Sequence, residues 1–287
     1  MISLAILEAG EGCRYNRQNP NSEVLMSLSH DQLHSLAHTL IEAEHSLAPI
    51  RPLTEQSPGL DEGDAYLIAA DVLDHELEHG HRVVGRKVGF TNLRIQRYLG
   101  VDSPNFGTLL DDMTVRDGGR LKRASMIDPK VEPEIAFHLK TELKGPGVTL
   151  HDVMEATDYV FPALEIVDSR FEGWKFTMPD ATADNACAGM VVIGTSRLAP
   201  TALNLAGEQV AIYRNDEQVD RGTSVEVLGN PGNAVAWCAN KLAELGKELR
   251  AGQFVLTGSI AGVTSAQAGD TFRAEFASLG VVSVNFT

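Results

Sequence analysis

Cysteine is scarce in this chain, and the little there is stands far apart. The 287 residues hold three, at positions 13, 187 and 238, with no CxxC spacing among them. An odd, scattered set argues against a disulfide framework and against a structural zinc site. Cys238 falls on the apolar stripe of a predicted helix and reads as a small buried hydrophobe. Long apolar runs are missing too, and none approaches the length that crosses a bilayer. The opening residues MISLAILEAGEGCRYNRQ have a short apolar stretch, an early Glu and no basic segment before it. That makes a poor secretory signal and predicts a cytoplasmic protein. Positive charge is in short supply: 24 Lys and Arg stand against 39 Asp and Glu, a net charge of -15. Such a chain repels nucleic acid and anionic membranes, so neither is an expected partner. If it binds an acidic substrate, a metal ion or a placed Lys or Arg must neutralise that substrate locally. Walker and GxGxxG glycine patterns are lacking. Gly258-Ser259-Ile260-Ala261-Gly262 is not the G-x-S-x-G order of a nucleophile elbow.

What is present is ordinary for a globular protein, 43% apolar and 22% charged. The length suits one large domain, or a catalytic domain with a helical extension. Residues 1–25 show no clear period and read as a loose leader, with Met26 a second candidate start. Over residues 26–83 the spacing is helical. Leu33, Leu36, Leu40 and Ile41 share one face between Ser29 and about Leu47, and Pro49, Pro52 and Pro58 mark a loop. Ala65, Ile68, Ala69 and Val72 line a second helix from about Asp61 to Glu78, which Gly80 ends. Across residues 84–287 strand-like runs alternate with Gly- and Pro-rich turns. One helix interrupts them, capped by Asn230 and opened by Pro231. A helical front and a strand-rich body predict an α+β fold, not alternating βαβ units.

The most informative segment runs from Lys130 to Leu139. Odd positions are apolar (Val131, Pro133, Ile135, Phe137, Leu139), and even ones are Lys130, Glu132, Glu134, Ala136 and His138. Strict alternation predicts a half-buried strand with Glu132 and Glu134 on one face, roughly 7 Å apart. Carboxylates that close repel, and a divalent cation between them removes the repulsion. Pro133 cannot donate to a ladder, so it marks an edge or bulge where pairing stops and a site can open. Glu165 sits inside the apolar run 160–167, which reads as a strand buried on both faces. A carboxylate buried alone costs several kcal/mol unless it is paired, protonated or metal-bound. Oxygen donors without thiolate suit Mg²⁺ or Mn²⁺. A solvated sheet face for Glu132 and Glu134, and pairing of Glu165 with Arg170 or Lys175, are the competing structural explanations.

Several ordered motifs resemble one known family. They are Gly85-Arg86-Lys87-Val88-Gly89-Phe90-Thr91, Gly100-Val101-Asp102-Ser103-Pro104, Val131-Glu132-Pro133-Glu134-Ile135, the run Phe161 to Arg170 through Glu165, Ala183-Asp184-Asn185-Ala186, Leu256-Thr257-Gly258 and Ala268-Gly269-Asp270. Together they resemble the 2-oxopent-4-enoate hydratase and 4-oxalocrotonate decarboxylase branch of the fumarylacetoacetate hydrolase-like family, from about residue 50 to the end. The resemblance implies a mixed β-roll core with flanking helices, and Mg²⁺ or Mn²⁺ held by Glu132, Glu134 and Glu165. It implies a small 2-oxo acid as substrate, in meta-cleavage degradation of aromatic compounds. Lys87 and Asp102 are the implied catalytic residues, and Arg170, Asp184, Asn185 and Thr257 the implied substrate-binding ones. A homo-oligomer is expected, with a complex between hydratase and decarboxylase partners as an option.

Both activities of that branch begin with chelation of the 1-carboxylate and 2-oxo oxygens. Lys144 to Gly147 and Asp158-Tyr159-Val160 resemble decarboxylases. Gly173-Trp174-Lys175, Met178-Pro179-Asp180 and Asn230 to Trp237 resemble hydratases. Decarboxylases of the branch carry an Arg soon after Asp-Asn-Ala, where this chain has Cys187-Ala188-Gly189-Met190. Without that cation to meet a second carboxylate, the reading favours a hydratase. Decarboxylation is the alternative and acylpyruvate hydrolysis a further one. His75-Glu76-Leu77-Glu78-His79 fits the zincin pattern H-E-x-x-H, but its helix stops at Gly80 and no extended third-ligand motif follows. It reads as a polar helix end, and His30, His34 and His38 read as a solvated face.

Overall fold

The computed structural model describes residues 28–92, 96, 101 and 103–287. No helix among them is long and apolar enough to cross a membrane. The described helices are α1 (His30–Ser46), α2 (Leu53–Gln56), α3 (Glu62–Glu78), α4 (Leu150–Ala156), α5 (Met178–Ala183) and α6 (Pro231–Glu244). Local chemistry sets their starts. The Ser29 hydroxyl accepts from the Gln32 amide while the Gln32 side chain takes the Ser29 N–H, a reciprocal cap on α1. Asp61 accepts from Asp64 N at 2.9 Å to open α3, and Asn230 accepts from Gly232 N at 2.9 Å to open α6.

The described residues form thirteen strands in chain order: β1 (Val83–Gly89), β2 (Asn105–Leu110), β3 (Thr114–Arg116), β4 (Gly119–Leu121), β5 (Lys130–Leu139), β6 (Thr157–Val167), β7 (Ala188–Ile193), β8 (Gln209–Arg214), β9 (Glu217–Thr223), β10 (Phe254–Leu256), β11 (Thr264–Ser265), β12 (Thr271–Phe276) and β13 (Gly280–Phe286). One sheet has the order β2-β1-β10-β5-β6-β7-β3, with β11 beside β5, and the other has β4-β13-β12-β8-β9. Pairing is mixed, since β1–β10, β3–β7 and β4–β13 are parallel. This is the expected α+β architecture with two mixed sheets. Val131, Ile135, Phe137 and Leu139 of β5 join Val235 and Leu242 of α6 and Phe272 and Val284 of the second sheet in the main core. A separate cluster binds α1 and α3 to the body through Leu33, Leu36, Ile68 and Phe171.

Pro133 is neither on an edge strand nor at a bulge, which corrects the sequence expectation. It lies inside β5, opposite Leu164 of β6. On the other side β11 pairs only with residues 130–131 and β10 only with 136–138, so the ladder is interrupted between them. The Pro133 carbonyl points into that gap, where Ile260 N donates to it at 3.0 Å. Its nitrogen faces the same way in an antiparallel strand, so the missing N–H falls where no ladder partner is needed.

Candidate metal and substrate site

The register of β5 on β6 makes the site. Glu132 stands directly opposite Glu165, and Glu134 opposite Ala163. The even residues of β5 therefore share a face with Glu165, and one oxygen from each of the three carboxylates lies within 4.8 Å of the others. Glu134 and Glu165 are almost wholly enclosed, at 0% and 1% exposure. Glu134 Oε2 accepts from Gly258 N at 2.6 Å. Its Oε1 and both Glu165 oxygens are buried with no hydrogen-bond donor among the described residues. Buried carboxylate oxygens left without donors are costly. Three of them converging beside Glu132 form an all-oxygen donor set that fits a hard divalent cation.

Lys87 of β1 reaches the same cluster. Its Nζ lies 3.2 Å from Glu165 Oε1, close enough for an ion pair but not aligned as a hydrogen bond, and it donates to Ala186 O at 2.8 Å. Thus Glu165 pairs with Lys87, not with Arg170 or Lys175. Burial alone would depress the Lys87 ammonium, but Glu165, Glu132 and Glu134 together more than offset it and hold its pKa above the ordinary value. The carboxylates move the other way. Burial first, and then Glu165, push Glu132 up to about 7, and the same causes raise Glu134 well above the usual range. Without a cation, then, the cluster holds protons that a metal would replace.

A cavity of about 200 Å³ opens on Lys87 and Glu132, with Thr91, Lys130, Trp174 and Phe176 also in its wall. Thr257 is fully buried beneath it and donates to Ile135 O at 2.9 Å, tying β10 to β5. Gly258 has φ +100, and a Cβ there would lie 1.9 Å from Thr91 Oγ1, so only glycine lets this backbone bring its N–H to Glu134.

Arg170, Asp184 and Asn185 are not brought to the carboxylates. Arg170 Nε and Asp184 Oδ1 form a buried ion pair, and the guanidinium also donates to Ala188 O at 3.0 Å and Asp184 O at 2.7 Å. Burial pushes Asp184 up to about 6 even though Arg170 opposes it. Asn185 brackets β2, accepting from Thr108 N at 2.6 Å and donating to Thr108 O at 2.9 Å. These bonds fix the loop Asn185–Cys187, whose three residues have φ of 50, 53 and 57. That loop presents Ala186 O to Lys87 and puts Ala186 and Cys187 in the cavity wall. Asp102 lies outside the described residues. Elsewhere, His79 caps the end of α3 with its Nδ1 2.7 Å from His75 O, and the Ser259 hydroxyl donates to Ala261 O at 2.7 Å.

The family model for the fumarylacetoacetate (FAA) hydrolase C-terminal domain matches residues 82–287. The chain belongs to this family. It is 42% identical over 250 residues to 2-hydroxyhexa-2,4-dienoate hydratase of Comamonas testosteroni, covering 86% of this chain and 95% of that protein. It is 38% identical over 255 residues to 2-keto-4-pentenoate hydratase of Paraburkholderia xenovorans, covering 89% and 95%. Among solved structures, 4-oxalocrotonate decarboxylase from Pseudomonas putida G7, complexed with magnesium and adipate, superposes with a TM-score of 0.89 at 34% identity, covering 91% of this chain and 99% of that one. With such relatives the chain is an enzyme of the lyase class. The family domain contains the three glutamates, Lys87 and the cavity, while α1, α2 and α3 precede it.

The sequence did not single out Lys130, Thr91 or Phe176 as site residues. Lys130 carried a signal, because it shares the face of Glu132 and Glu134, and Thr91 closes the motif that holds Lys87. Phe176 reaches the cavity through tertiary structure that no local pattern reports.

Proposed function

We propose that this enzyme uses Mg²⁺ or Mn²⁺ to add water to a 2-hydroxy-2,4-dienoate, giving a 4-hydroxy-2-oxo acid in the meta-cleavage degradation of aromatic compounds. The observation that carries this reading is the convergence of Glu132, Glu134 and Glu165, with Glu134 Oε1 and both Glu165 oxygens buried and without donors among the described residues, beside an ammonium and an open cavity. A bound divalent ion would polarise the substrate's 1-carboxylate and 2-oxo oxygens as a Lewis acid. Glu132, Glu134 and Glu165 would hold that ion, with the Gly258 N–H fixing the orientation of Glu134. Lys87 has three N–H donors. One goes to Ala186 O and the ion pair with Glu165 steadies the group, leaving Nζ able to hold a substrate oxygen or pass it a proton. Arg170, Asp184 and Asn185 act in this reading by positioning the loop that carries Ala186 and Cys187, and Thr257 by fixing β10 beside Glu134. The enzyme would work in the cytoplasm as a homo-oligomer, alone or in complex with a partner decarboxylase.

The second reading is decarboxylation of 2-oxohex-3-enedioate, favoured by the 4-oxalocrotonate decarboxylase likeness. The test is direct. The protein with Mg²⁺ or Mn²⁺ is given 2-hydroxypenta-2,4-dienoate or 2-oxohex-3-enedioate, while dienol absorbance and CO₂ release are followed. Loss of dienol absorbance without CO₂ is the expected result. Release of CO₂ from the diacid makes it the decarboxylase. No turnover of either, with metal bound, refutes both readings.

A further inference from the structure

The sequence offers no cation after Asp184-Asn185-Ala186 to meet a second carboxylate on the substrate, but the structure supplies one from β5. Lys130 precedes Glu132 by two residues, so its side chain leaves the same face one pleat repeat, roughly 7 Å, further along. It is half-buried and lines the cavity with Glu132. Its Nζ lies 3.9 Å from the centroid of the Trp174 ring. That indole is itself held, its Nε1 donating to Asp128 O at 3.1 Å. A cation resting on an aromatic face keeps its N–H donors available for an anion. Among the described residues, Asp128 and Glu132 are the carboxylates whose charge acts on Lys130. Lys87, by contrast, lies at the glutamate end, beside Glu165 and donating to Ala186 O, where its remaining donor serves the head of the substrate. Val167, Trp174 and Phe176 give this wall an apolar side. A slot with carboxylates for a metal at one point, an apolar side and a restrained ammonium further along matches an acid charged at both ends.

We propose that Lys130, steered by Trp174, is a specificity residue that receives a carboxylate at the far end of the substrate, so that the site prefers a 2-oxo diacid to a monoacid of the same length. This rests on the reading above that the 2-oxo acid head binds at the three glutamates. A diacid preference would remove the sequence argument against decarboxylation, so water addition and CO₂ loss are then separated by the turnover assay alone.

Calorimetric titration of the Mg²⁺-saturated protein with 2-oxoadipate and with 2-oxohexanoate tests it. Both acids are saturated and lack the conjugated double bond, so binding is read without turnover. The wild type should bind the diacid roughly 10- to 100-fold more tightly, the effect of one charge-assisted hydrogen bond. Lys130→Met should bring the ratio of the two affinities close to one, and Lys130→Arg should restore most of it. Restoration by Lys130→Arg excludes misfolding as the cause. Equal affinities in the wild type would overturn the proposal, as would an equal loss for both acids in Lys130→Met. If neither acid binds while Mg²⁺ does, the placement of the substrate head at the glutamates fails, and this inference fails with it.

Discussion

Metal binding to the three glutamates should be linked to proton release, and pH is the perturbation that exposes it. In the metal-free protein burial and the neighbouring Glu165 push Glu132 up to about 7 from 4.5. At pH 6 that carboxyl is about nine-tenths protonated, and burial and Glu165 also raise Glu134 well above the usual carboxylate range. A cation needs Glu132 ionised, so loading at pH 6 should release about one proton from it, and less by pH 8. Lys87 releases none, because its ammonium is held above its ordinary pKa. The affinity should therefore fall at least about 10-fold for each unit of acidification well below pH 7. Stability follows the same linkage. The Glu132 pKa is raised in the fold, so its contribution to stability is present below the unfolded value of 4.5 and is lost as pH rises through about 7. At about 1.4 kcal/mol per unit this amounts to about 3 kcal/mol for the metal-free protein. Metal should return much of it, so the increase in Tm on adding Mg²⁺ should be larger at pH 8 than at pH 5. Titration calorimetry in two buffers of different ionisation enthalpy counts the protons, and thermal unfolding reads the stability. A metal affinity that is flat between pH 5.5 and 7.5, with no proton release, would refute the claim that these buried carboxyls are the ligands.

Three substitutions test the parts separately. Glu165→Gln keeps the shape but removes a ligand charge and the ion-pair partner of Lys87. It should weaken Mg²⁺ binding at least about 100-fold in a calorimetric titration, with the fold retained by circular dichroism. Gly258→Ala puts a Cβ 1.9 Å from Thr91 Oγ1 at a φ of +100. It should cost about 1–3 kcal/mol in chemical unfolding and weaken metal binding by displacing the N–H that Glu134 accepts from. An unaltered protein would mean that this loop does not support the site. Asp184→Asn leaves the Arg170 guanidinium without its buried counter-ion and should destabilise the fold by about 3–5 kcal/mol in urea unfolding. Full stability would show that the pair contributes nothing to the loop.

What was legible in the sequence was whatever one strand or helix decides by itself. The alternation over Lys130–Leu139 settled which side of β5 Glu132 and Glu134 occupy, because period two leaves no other choice. The apolar run around Glu165 reported burial for the same local reason. Ser29, Asp61 and Asn230 marked helix starts because a cap is chemistry within three residues. The strand Glu217–Thr223 was illegible, since EQVDRGT lies on a half-exposed edge and carries no apolar alternation. Its better signal was the turn before it, where Asn215 and Asp216 take φ of 52 and 64, as a tight hairpin requires. Nor could any local pattern say that Glu132 meets Glu165, because that is a register between strands. The same holds for the partners of Arg170 and Glu165. A buried charge announces that it needs a counter-charge, but which one it finds is set by chain crossings dozens of residues apart. Arg170 was the nearer cation to Glu165 in sequence, yet it took Asp184, and Lys87 came to Glu165 from β1. That exchange of partners has a functional consequence. It removes Arg170 from the cavity and leaves Lys87 beside a proposed metal-ligand carboxylate, so among the described residues the cation left to read the substrate's tail is Lys130.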